Sequence, residues 1–287
     1  MLPYYGDVDQ MKQAAQSVLD QTHRDFRLVV IDDGYPDPEP RRWFEAMTDD
    51  RVTYLRNEKN LGANGNYRKA LELVEAEWFV MMGADDVMRP GYLAAVATAA
   101  ERFDVDIVQP GVEVIDENGV RVLPLVDRIK RAITPRVTPP GEVLGGERLA
   151  ASLMRGDWAY FPSLAWRSET VRRIGFRQGL DVVQDLALIL DIVKQGGSMA
   201  LLTDVVFDYR RHSQSDSSVR ALDGRRFDEE RDFFNTEARS FDALGWRRAA
   251  RVARRHLTSR LNAASLLFKA AKADAGSPRA LLRHMFR

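Results

Sequence analysis

Three acidic groups in this sequence stand where strands are predicted to end or where a helix begins. DDG at 32–34 closes the apolar run LVVI, DD at 85–86 follows the run WFVMMG, and Asp185 lies one turn into a helical pattern. In an open α/β sheet, ligands bind at the carboxyl ends of the strands. Carboxylates gathered there suit Mg²⁺ or Mn²⁺, which are completed by substrate phosphates. The pattern therefore predicts a metal-dependent site for a phosphorylated donor.

Each acidic group also has a plainer interpretation. Asp-Gly at 33–34 favours a tight turn, an aspartate ahead of Pro90 can cap a helix, and Asp185 can complement the positive end of its helix. Asp181 is more readily explained as an N-cap. Two adjacent carboxylates beside a buried strand repel each other, however, so 85–86 favours a cation site over a cap.

The elements that must position these residues follow from the hydrophobic periodicity. Helices are predicted over 7–23, 62–76, 90–103, 147–155 and 181–197, and strands over 26–34, 51–57, 77–83, 105–116, 120–126 and 199–212. The last two strands before residue 130 flank ENG, a hairpin-like turn. Segment 133–146, rich in proline and glycine, is predicted to be a loop or lid. Strands that alternate with helices of this length predict an α/β, doubly wound and mostly parallel sheet.

Composition limits the function classes. The 287 residues include no cysteine, which excludes disulfides and thiolate metal sites and suits a cytoplasmic protein. No apolar run approaches the roughly 20 residues of a membrane span. Neither a P-loop nor a dinucleotide-binding glycine fingerprint is present. The opening MLPYYGD is typical of the last residues of a strand, so we expect the natural chain to begin upstream.

The formal charge is zero but unevenly distributed. From Ala243 to the end there are nine Arg and two Lys against one acid. The apolar positions of this segment, from Trp246 through Ala250 and Ala253 to Phe268, form one helical stripe. The stripe either packs on the rest of the protein or places 243–270 on an anionic membrane, at the inner face of the cell membrane. Nucleic acid is a weaker candidate, because no aromatic stacking platform accompanies the arginines.

Several motifs together resemble family 2 glycosyltransferases. The opening LPYYGDVDQMKQAAQSVLDQTHRDFRLVVIDDG, the block NEKNLGANGNYRKALELVEAEWFVMMGADD, the helix VVQDLALILDIVKQGG and the tail YRRHSQSDSS match that family's order of motifs over roughly residues 1–215. The resemblance implies a GT-A fold, a nucleotide-sugar donor, a divalent metal and inversion at the anomeric carbon.

Site residues follow from the same resemblance. Pro3 and Tyr5 would border the nucleotide base, and Asp33, supported by Asp32, would accept a hydrogen bond from it. Asp85 would hold the ribose and, with Asp86, the diphosphate-bound metal.

Asp185 would be the general base that deprotonates the acceptor, with Asp181 or Asp191 as the alternatives. Two positions depart from the family pattern: Gly83 replaces the first carboxylate of Asp-x-Asp, and Gln184 replaces the usual glutamate before the base.

Four further residues have two interpretations each. His212 is either a third metal ligand or part of a basic strand end, and its neighbours Arg210 and Arg211 either bind diphosphate or meet solvent. Arg68 is a candidate for the nucleotide site, on a helix whose other face is apolar.

The predicted organisation is a nucleotide-sugar-binding half (1–125), an acceptor-binding and catalytic half (126–215) and a basic helical extension (216–287). The predicted reaction is transfer of one sugar from a UDP-, GDP- or dTDP-linked donor to a saccharide or lipid-linked acceptor, since the motif of processive polymerising members is not evident. Two rival functions stay open: a sugar-nucleotide-forming nucleotidyltransferase, and a non-catalytic relative that binds a sugar nucleotide or serves as a scaffold.

Overall fold

The protein has a three-stranded parallel sheet and a six-stranded mixed sheet, which meet at Met1 and have helices on both faces. A computed structural model describes residues 1–180, 182–212, 225–257 and 260, with residues 225–228 described by their backbone alone. The strands are β1 (Leu2–Tyr4), β2 (Leu28–Asp32), β3 (Val52–Arg56), β4 (Trp78–Val80), β5 (Val87–Met88), β6 (Ile107–Ile115), β7 (Gly141–Gly145), β8 (Ala165–Arg167) and β9 (Ser198–Arg210).

The helices connect these strands and extend past the last of them. They are α1 (Val8–Leu19), α2 (Glu39–Glu45), α3 (Ala63–Glu72), α4 (Tyr92–Arg102), α5 (Leu125–Ile133), α6 (Gly146–Arg155), α7 (Ser168–Ile174), α8 (Gln184–Lys194), α9 (Arg225–Ala243) and α10 (Arg247–Arg255).

The strand order explains why the acidic groups meet. β1, β2 and β3 are parallel, and Met1 exchanges two backbone hydrogen bonds with Val80 and Met82 that join β1 to β4. Beyond β4, β8 is antiparallel to both β4 and β6, β9 is parallel to β6, and the short β5 and β7 are antiparallel to β9. The predicted α/β sheet rich in parallel strands is confirmed. The antiparallel pairs all lie among β4 to β9.

Two segments differ from the sequence predictions. The strand predicted over 120–126 is reduced to a single bridge between Ile115 and Arg121. Pro124 cannot donate to a strand ladder, and it stands instead at the N-cap of α5. The loop predicted over 133–146 contains β7, which completes an edge of the sheet against β9.

Apolar side chains fill both faces of the sheet. One core lies under α1 and α4, and the other lies under α3, α6 and α8. The second core also takes in α9 and α10, whose Phe241, Ala249, Ala250 and Ala253 have no exposed surface. The described helices of the predicted extension therefore share the core of the rest of the protein, whereas residues 261–287 lie outside the described residues.

Candidate donor and catalytic site

Asp85 and Asp86 lie on the loop that leaves β4. Asp86 is buried, and its Oδ1 accepts a hydrogen bond from the backbone N–H of Arg210 at 2.8 Å. Its Oδ2 is also buried and has no hydrogen-bond partner among the described residues. Burial and the neighbouring charge of Asp85 raise the pKa of Asp86 well above its usual range. Such a carboxylate needs either a proton or a cation.

Gly83 explains how the two carboxylates come so close to the strand. A Cβ at this position would lie 2.6 Å from Asp86 Oδ2 and 2.8 Å from Asp85 Oδ1. Both oxygens thus border the space that a side chain would occupy. The missing first carboxylate of the Asp-x-Asp pattern therefore has a packing reason, because any side chain at 83 would displace the acidic pair.

Arg210, the last residue of β9, and His212 hold this loop in place. His212 Nε2 lies 2.8 Å from Asp85 Oδ2, and this contact raises the pKa of His212. The guanidinium of Arg210 donates to backbone oxygens of Asp85, Asp116 and Glu117 and to Gln13 Oε1.

Arg211 forms a bidentate ion pair with the buried Asp127, at 2.7 and 2.8 Å. Both arginines are therefore occupied by protein, which corrects the interpretations that they bind diphosphate or meet solvent.

The acidic pair fits a divalent cation. Within the described part of the chain, no three His, Asp or Glu side chains converge as a complete metal centre would require. Two carboxylates that border one space, one of them with an orphaned buried oxygen, nevertheless provide the oxygen ligands that Mg²⁺ or Mn²⁺ prefers. The nitrogen with which His212 would bind a metal is engaged by Asp85.

At the end of β2, Asp32 and Asp33 differ in their surroundings. Asp32 is fully enclosed and accepts hydrogen bonds from the backbone of Tyr35, the hydroxyl of Tyr54 and the guanidinium of Arg56.

Asp33 Oδ1 accepts from Asn57 Nδ2 at 2.7 Å and from the backbone of Leu61 at 2.9 Å. No described residue donates to its Oδ2. Asp33 is thus the member of the pair with an acceptor to spare, and Asp32 fixes the strand end.

The other residues predicted for the nucleotide are distributed around this end of β1. Pro3 is partly exposed on β1, and the Tyr5 ring, 56% exposed, meets the edge of Tyr35 at 5.4 Å. Arg68 lies on the exposed face of α3 and forms no hydrogen bond or ion pair with the described residues of this group. Lys69, one residue later, instead donates to Asn57 Oδ1 at 2.5 Å and so contacts the partner of Asp33.

Asp185 lies in the first turn of α8. Part of the residue is accessible, but its carboxyl group is withdrawn from water, which together with the negative charge of Asp157 raises the pKa of Asp185 to about 7. Its Oδ1 accepts from the backbone N–H of Leu186 at 2.8 Å. A carboxyl group with a pKa near neutrality is suited to act as a general base. Asp181, one alternative base, lies outside the described residues.

Two sets of contacts join Asp185 to the rest of the site. Gln184 donates to Asn64 in the first turn of α3, close to the loop that binds Asp33. The positive charge of Lys130 acts on Asp185 from the other side, and its ammonium lies 4.8 Å from the ring centre of Tyr160. Tyr160 donates to Asp127, the partner of Arg211. Gln184, which stands where the family pattern has glutamate, therefore supplies an amide donor that connects the start of α8 to the start of α3.

Comparison with known proteins decides the family. The family model described as Glycosyl transferase family 2 matches residues 1–145, half of the chain. The chain belongs to this family. The match covers β1 to β7, so it includes the loops that carry Asp33, Asp85 and Asp86. The nucleotidyltransferase alternative is thereby set aside.

Two curated relatives of this family 2 protein show how far the likeness extends. The succinoglycan biosynthesis protein ExoO of Rhizobium meliloti is 24% identical over 220 residues, which is 76% of this chain and 62% of ExoO. An uncharacterized glycosyltransferase of Methanocaldococcus jannaschii is 27% identical over 125 residues, 42% of each protein. The chain thus spans between two fifths and three fifths of the length of these relatives.

Solved structures place the family 2 chain in the GT-A fold. The mannosyltransferase PcManGT of Pyrobaculum calidifontis, solved with GDP-Man and Mn²⁺, aligns with a TM-score of 0.63 at 20% identity over 97% of this chain and 75% of its own. Residues 1–349 of TarS from S. aureus, solved with UDP-GlcNAc, align with a TM-score of 0.63 at 15% identity over 81% of this chain and 64% of that one. The predicted GT-A fold is confirmed.

Several residues of this family 2 site escaped the sequence analysis. Asn57 and Lys69 support Asp33, and Asp127 and Tyr160 lie between Arg211 and Lys130. Only Asn57, the last residue of a predicted strand, carried a signal like that of the other site residues. Trp158 is fully buried and donates to Ser152, so it is a core residue.

Glu229, on α9, is the most distant of the missed residues. Its Oε1 accepts hydrogen bonds from the backbone N–H groups of Val182 and Val183, at 2.8 and 3.1 Å, directly before α8. Val183 is the N-cap residue of α8 and Val182 precedes it, so a side-chain acceptor that binds both amides fixes the chain where the helix begins. Glu229 therefore orients the turn that carries Asp185.

Replacing Glu229 by alanine is expected to lower the free energy of unfolding by about 1 kcal/mol, the usual cost of a lost cap. The turnover number should fall by more than the donor dissociation constant rises, because the turn of Asp185 loses its support. Glu229→Gln, which keeps an acceptor oxygen, should recover most of the turnover. Asp232→Ala, at an exposed position of the same helix, is the control. Equal kinetics in the alanine and glutamine variants would contradict this role.

Proposed function

We propose that this chain is an inverting glycosyltransferase that moves one sugar from a nucleoside diphosphate sugar to a saccharide or lipid-linked acceptor. The observation that carries the proposal is the contact of Gln184 with Asn64. This contact joins the start of α8 to the start of α3. The first carries Asp185, a carboxyl group of near-neutral pKa, and the second lies beside the loop that binds Asp33. Direct transfer requires a general base on one side of a space and a nucleotide pocket on the other.

In the proposed donor complex, Asp33 Oδ2 accepts a hydrogen bond from the base, and Pro3 and Tyr5 border its ring. Asp85 lies near the ribose, and Lys69 places a positive charge beside Asp33. Arg68 stays a weaker candidate for the same pocket. GT-A relatives solved with UDP-GlcNAc and with GDP-Man support a nucleotide-sugar donor, UDP-, GDP- or dTDP-linked.

Asp85 and Asp86 are the residues that would hold Mg²⁺ or Mn²⁺. A divalent ion bound there neutralises the charge of the departing diphosphate. His212 supports Asp85 in the present arrangement, and becoming a third ligand would require its nitrogen to leave that carboxylate.

The reaction itself is a single displacement. Asp185 takes the proton of the acceptor hydroxyl, whose oxygen forms a bond to the anomeric carbon as the bond from that carbon to the diphosphate oxygen breaks. A single base on the face opposite the leaving group gives inversion, and such general-base catalysis contributes about 10²–10⁴-fold. The likeness to ExoO, described as a succinoglycan biosynthesis protein, supports a role in cell-surface polysaccharide or glycolipid synthesis.

A thermal-shift screen of UDP-, GDP- and dTDP-sugars with and without Mn²⁺ tests the proposal, followed by a transfer assay with the sugar that binds. A ligand at 100 times its dissociation constant should stabilise the protein by about 2.7 kcal/mol. Metal-dependent binding with turnover supports the proposal. Binding without turnover favours the non-catalytic rival, and no stabilisation by any of these donors removes the whole interpretation.

Two variants are expected to shift the pH profile of kcat/KM in opposite directions. Because Asp185 acts in its ionised form, kcat/KM should rise with pH and level off above about 7. Asp157→Asn removes a charge that raises the pKa of Asp185, so the rise should move to lower pH. Lys130→Gln removes a charge that lowers this pKa, so the rise should move to higher pH. Identical profiles in all three proteins would show that Asp185 is not the titrating base.

A further inference from the structure

Helix α5 exposes an apolar surface that the proposed function does not use. Leu125 is 69% exposed, Val126 45% and Ile129 43%, and Leu123 before the helix is 48% exposed. Large apolar side chains grouped on the surface indicate an interaction site.

The apolar surface of α5 leads into a cavity. Leu125, Ile129 and Ala132 are spaced by four and three residues, so they form one stripe along the helix. Ala132 also lines a cavity of about 290 Å³, together with Thr134 and Pro135 beyond the helix. The stripe and the cavity are therefore continuous.

The cavity is rich in positive charge. Arg148 and Arg155 of α6 and Arg248 of α10 line it, with the hydroxyl groups of Thr134 and Ser152. Arg148 is 64% exposed and lies 3.9 Å from its nearest carboxylate, on Glu142. Arginine side chains around one space, of which Arg148 is exposed, are suited to a phosphate group.

The segment around α5 is also positively charged. Residues 120–140 contain five Arg or Lys and one acid, Asp127, which is buried and paired with Arg211. Arg128 and Arg131 are exposed beside the stripe. Exposed apolar side chains flanked by cations, without an exposed acid, match the surface of a membrane that contains anionic lipids.

We propose that α5 and the arginine-lined cavity form a docking surface for an anionic phospholipid bilayer. Leu125, Val126 and Ile129 enter the interface, and a lipid phosphate occupies the cavity. This inference goes beyond the proposed function and uses none of its residues for binding. No helix within the described ranges is long and apolar enough to cross a membrane.

Helix α5 lies between the proposed membrane surface and the side of the site that carries Asp185. The opposite face of the helix carries Asp127 and Lys130, which contact Tyr160 and Ala159. Lys130 acts on the charge of Asp185. A bilayer on one face of α5 would therefore lie about one helix diameter, roughly 10 Å, from the acceptor side of the site.

The same observations argue against the stripe of the basic tail as the membrane surface. Ala250 and Ala253, predicted members of that stripe, have no exposed surface, because they pack in the core beside α6. Arg248 of the same helix points instead to the cavity at the end of α5. The part of the predicted membrane segment beyond residue 260 lies outside the described residues.

Vesicle co-sedimentation of the full chain tests the proposal. The protein should bind vesicles of phosphatidylcholine with about 30% phosphatidylglycerol at about 0.1 M salt, and less at about 0.5 M salt or without the anionic lipid. Arg148→Gln with Arg248→Gln should weaken this binding about 25-fold, at about fivefold per arginine. Leu125→Ser with Ile129→Ser, at exposed positions, should weaken it at least about fivefold.

Matched controls place the same changes on other surfaces. Arg41→Gln with Arg42→Gln on α2, and Leu244→Ser before α10, should bind as the unaltered protein does. Unchanged thermal unfolding shows that each variant is folded. Binding that survives both α5 and cavity variants, losses equal to those of the controls, or no binding to anionic vesicles would each overturn the proposal. Donor binding in solution is a separate readout, so failure here leaves the proposed function standing.

Discussion

Replacing Asp185 by asparagine is expected to lower the turnover number by at least about 100-fold while the dissociation constant of the donor stays the same. The amide has the size of the carboxyl group but cannot take a proton from the acceptor. The hydrogen bond from Leu186 to Oδ1 can be kept by the amide oxygen, so the helix start should remain intact. Initial rates with saturating acceptor and calorimetric titration of the donor measure the two quantities.

Asp191→Asn is the matched control on the same helix. Its carboxylate is bound by Arg177 at 2.6 Å and by Lys194 at 2.9 Å, in a cluster that includes the buried Glu237. Losing one member of that cluster should reduce stability and leave turnover within a few-fold. Near-normal turnover of Asp185→Asn would contradict the assignment and transfer the base role to Asp181, because Asp191 is fully engaged by cations.

Replacing Asp86 by asparagine is expected to produce a protein that is more stable without ligands and inactive. The amide oxygen can still accept from Arg210, and the amide N–H₂ replaces the buried oxygen that has no partner. Stability without metal should rise by about 1–3 kcal/mol near neutral pH. Activity and Mn²⁺-dependent donor binding should fall at least about 100-fold, because a cation ligand is lost.

The pH dependence of stability identifies the cause. A pKa raised by burial means that the folded protein keeps a proton that the unfolded chain releases above about pH 4. The stability is therefore fully present below that pH and decreases as pH rises through the folded-state pKa of Asp86. Asp86→Asn should remove this decrease. Denaturant unfolding across pH without metal measures it, and identical curves for both proteins would contradict a buried titrating carboxylate.

Asp85→Asn is the informative comparison. Asp85 is partly exposed and bound to His212, so its replacement relieves the repulsion of Asp86 but loses the His212 contact, and it should stabilise the protein less than Asp86→Asn does. It should still weaken Mn²⁺-dependent donor binding. Equal activity of Asp85→Asn and the unaltered protein would leave Asp86 as the sole carboxylate ligand.

The parts of the fold and of the site that depend on neighbouring residues could be predicted from the sequence. The parts that depend on residues far apart in the chain could not. The strand ends at Asp32-Asp33 and Asp85-Asp86 were predictable, because each follows an apolar run that fixes a buried strand. The start of α8 was predictable to within a turn for the same reason. The role of Gly83 was not, because it depends on two carboxylates folding back over the strand rather than on a local backbone preference.

Long-range partners explain the remaining failures. Arg210 and Arg211 form a basic pair in the sequence, and their side-chain acceptors lie 84 to 197 positions away along the chain. Glu229 is 46 and 47 positions from the amides that it binds. No periodicity in a single sequence encodes such pairs. Pro124 is a different case, because its effect on the predicted hairpin was local and competed with a β-branched pattern.

The packing of α9 and α10 sets the order of events during synthesis. Strand β9 is complete at Arg210, but the core beside α8 stays open until Phe233, Phe241 and Ala253 have left the ribosome. At about 5–20 residues per second, that is roughly two to eight seconds in which α8 has one bare face. The nucleotide loops can form during this interval, whereas the turn of Asp185 has no Glu229 to hold it. A newly made chain should therefore form the loops of Asp33 and Asp86 before the turn of Asp185 is fixed by Glu229.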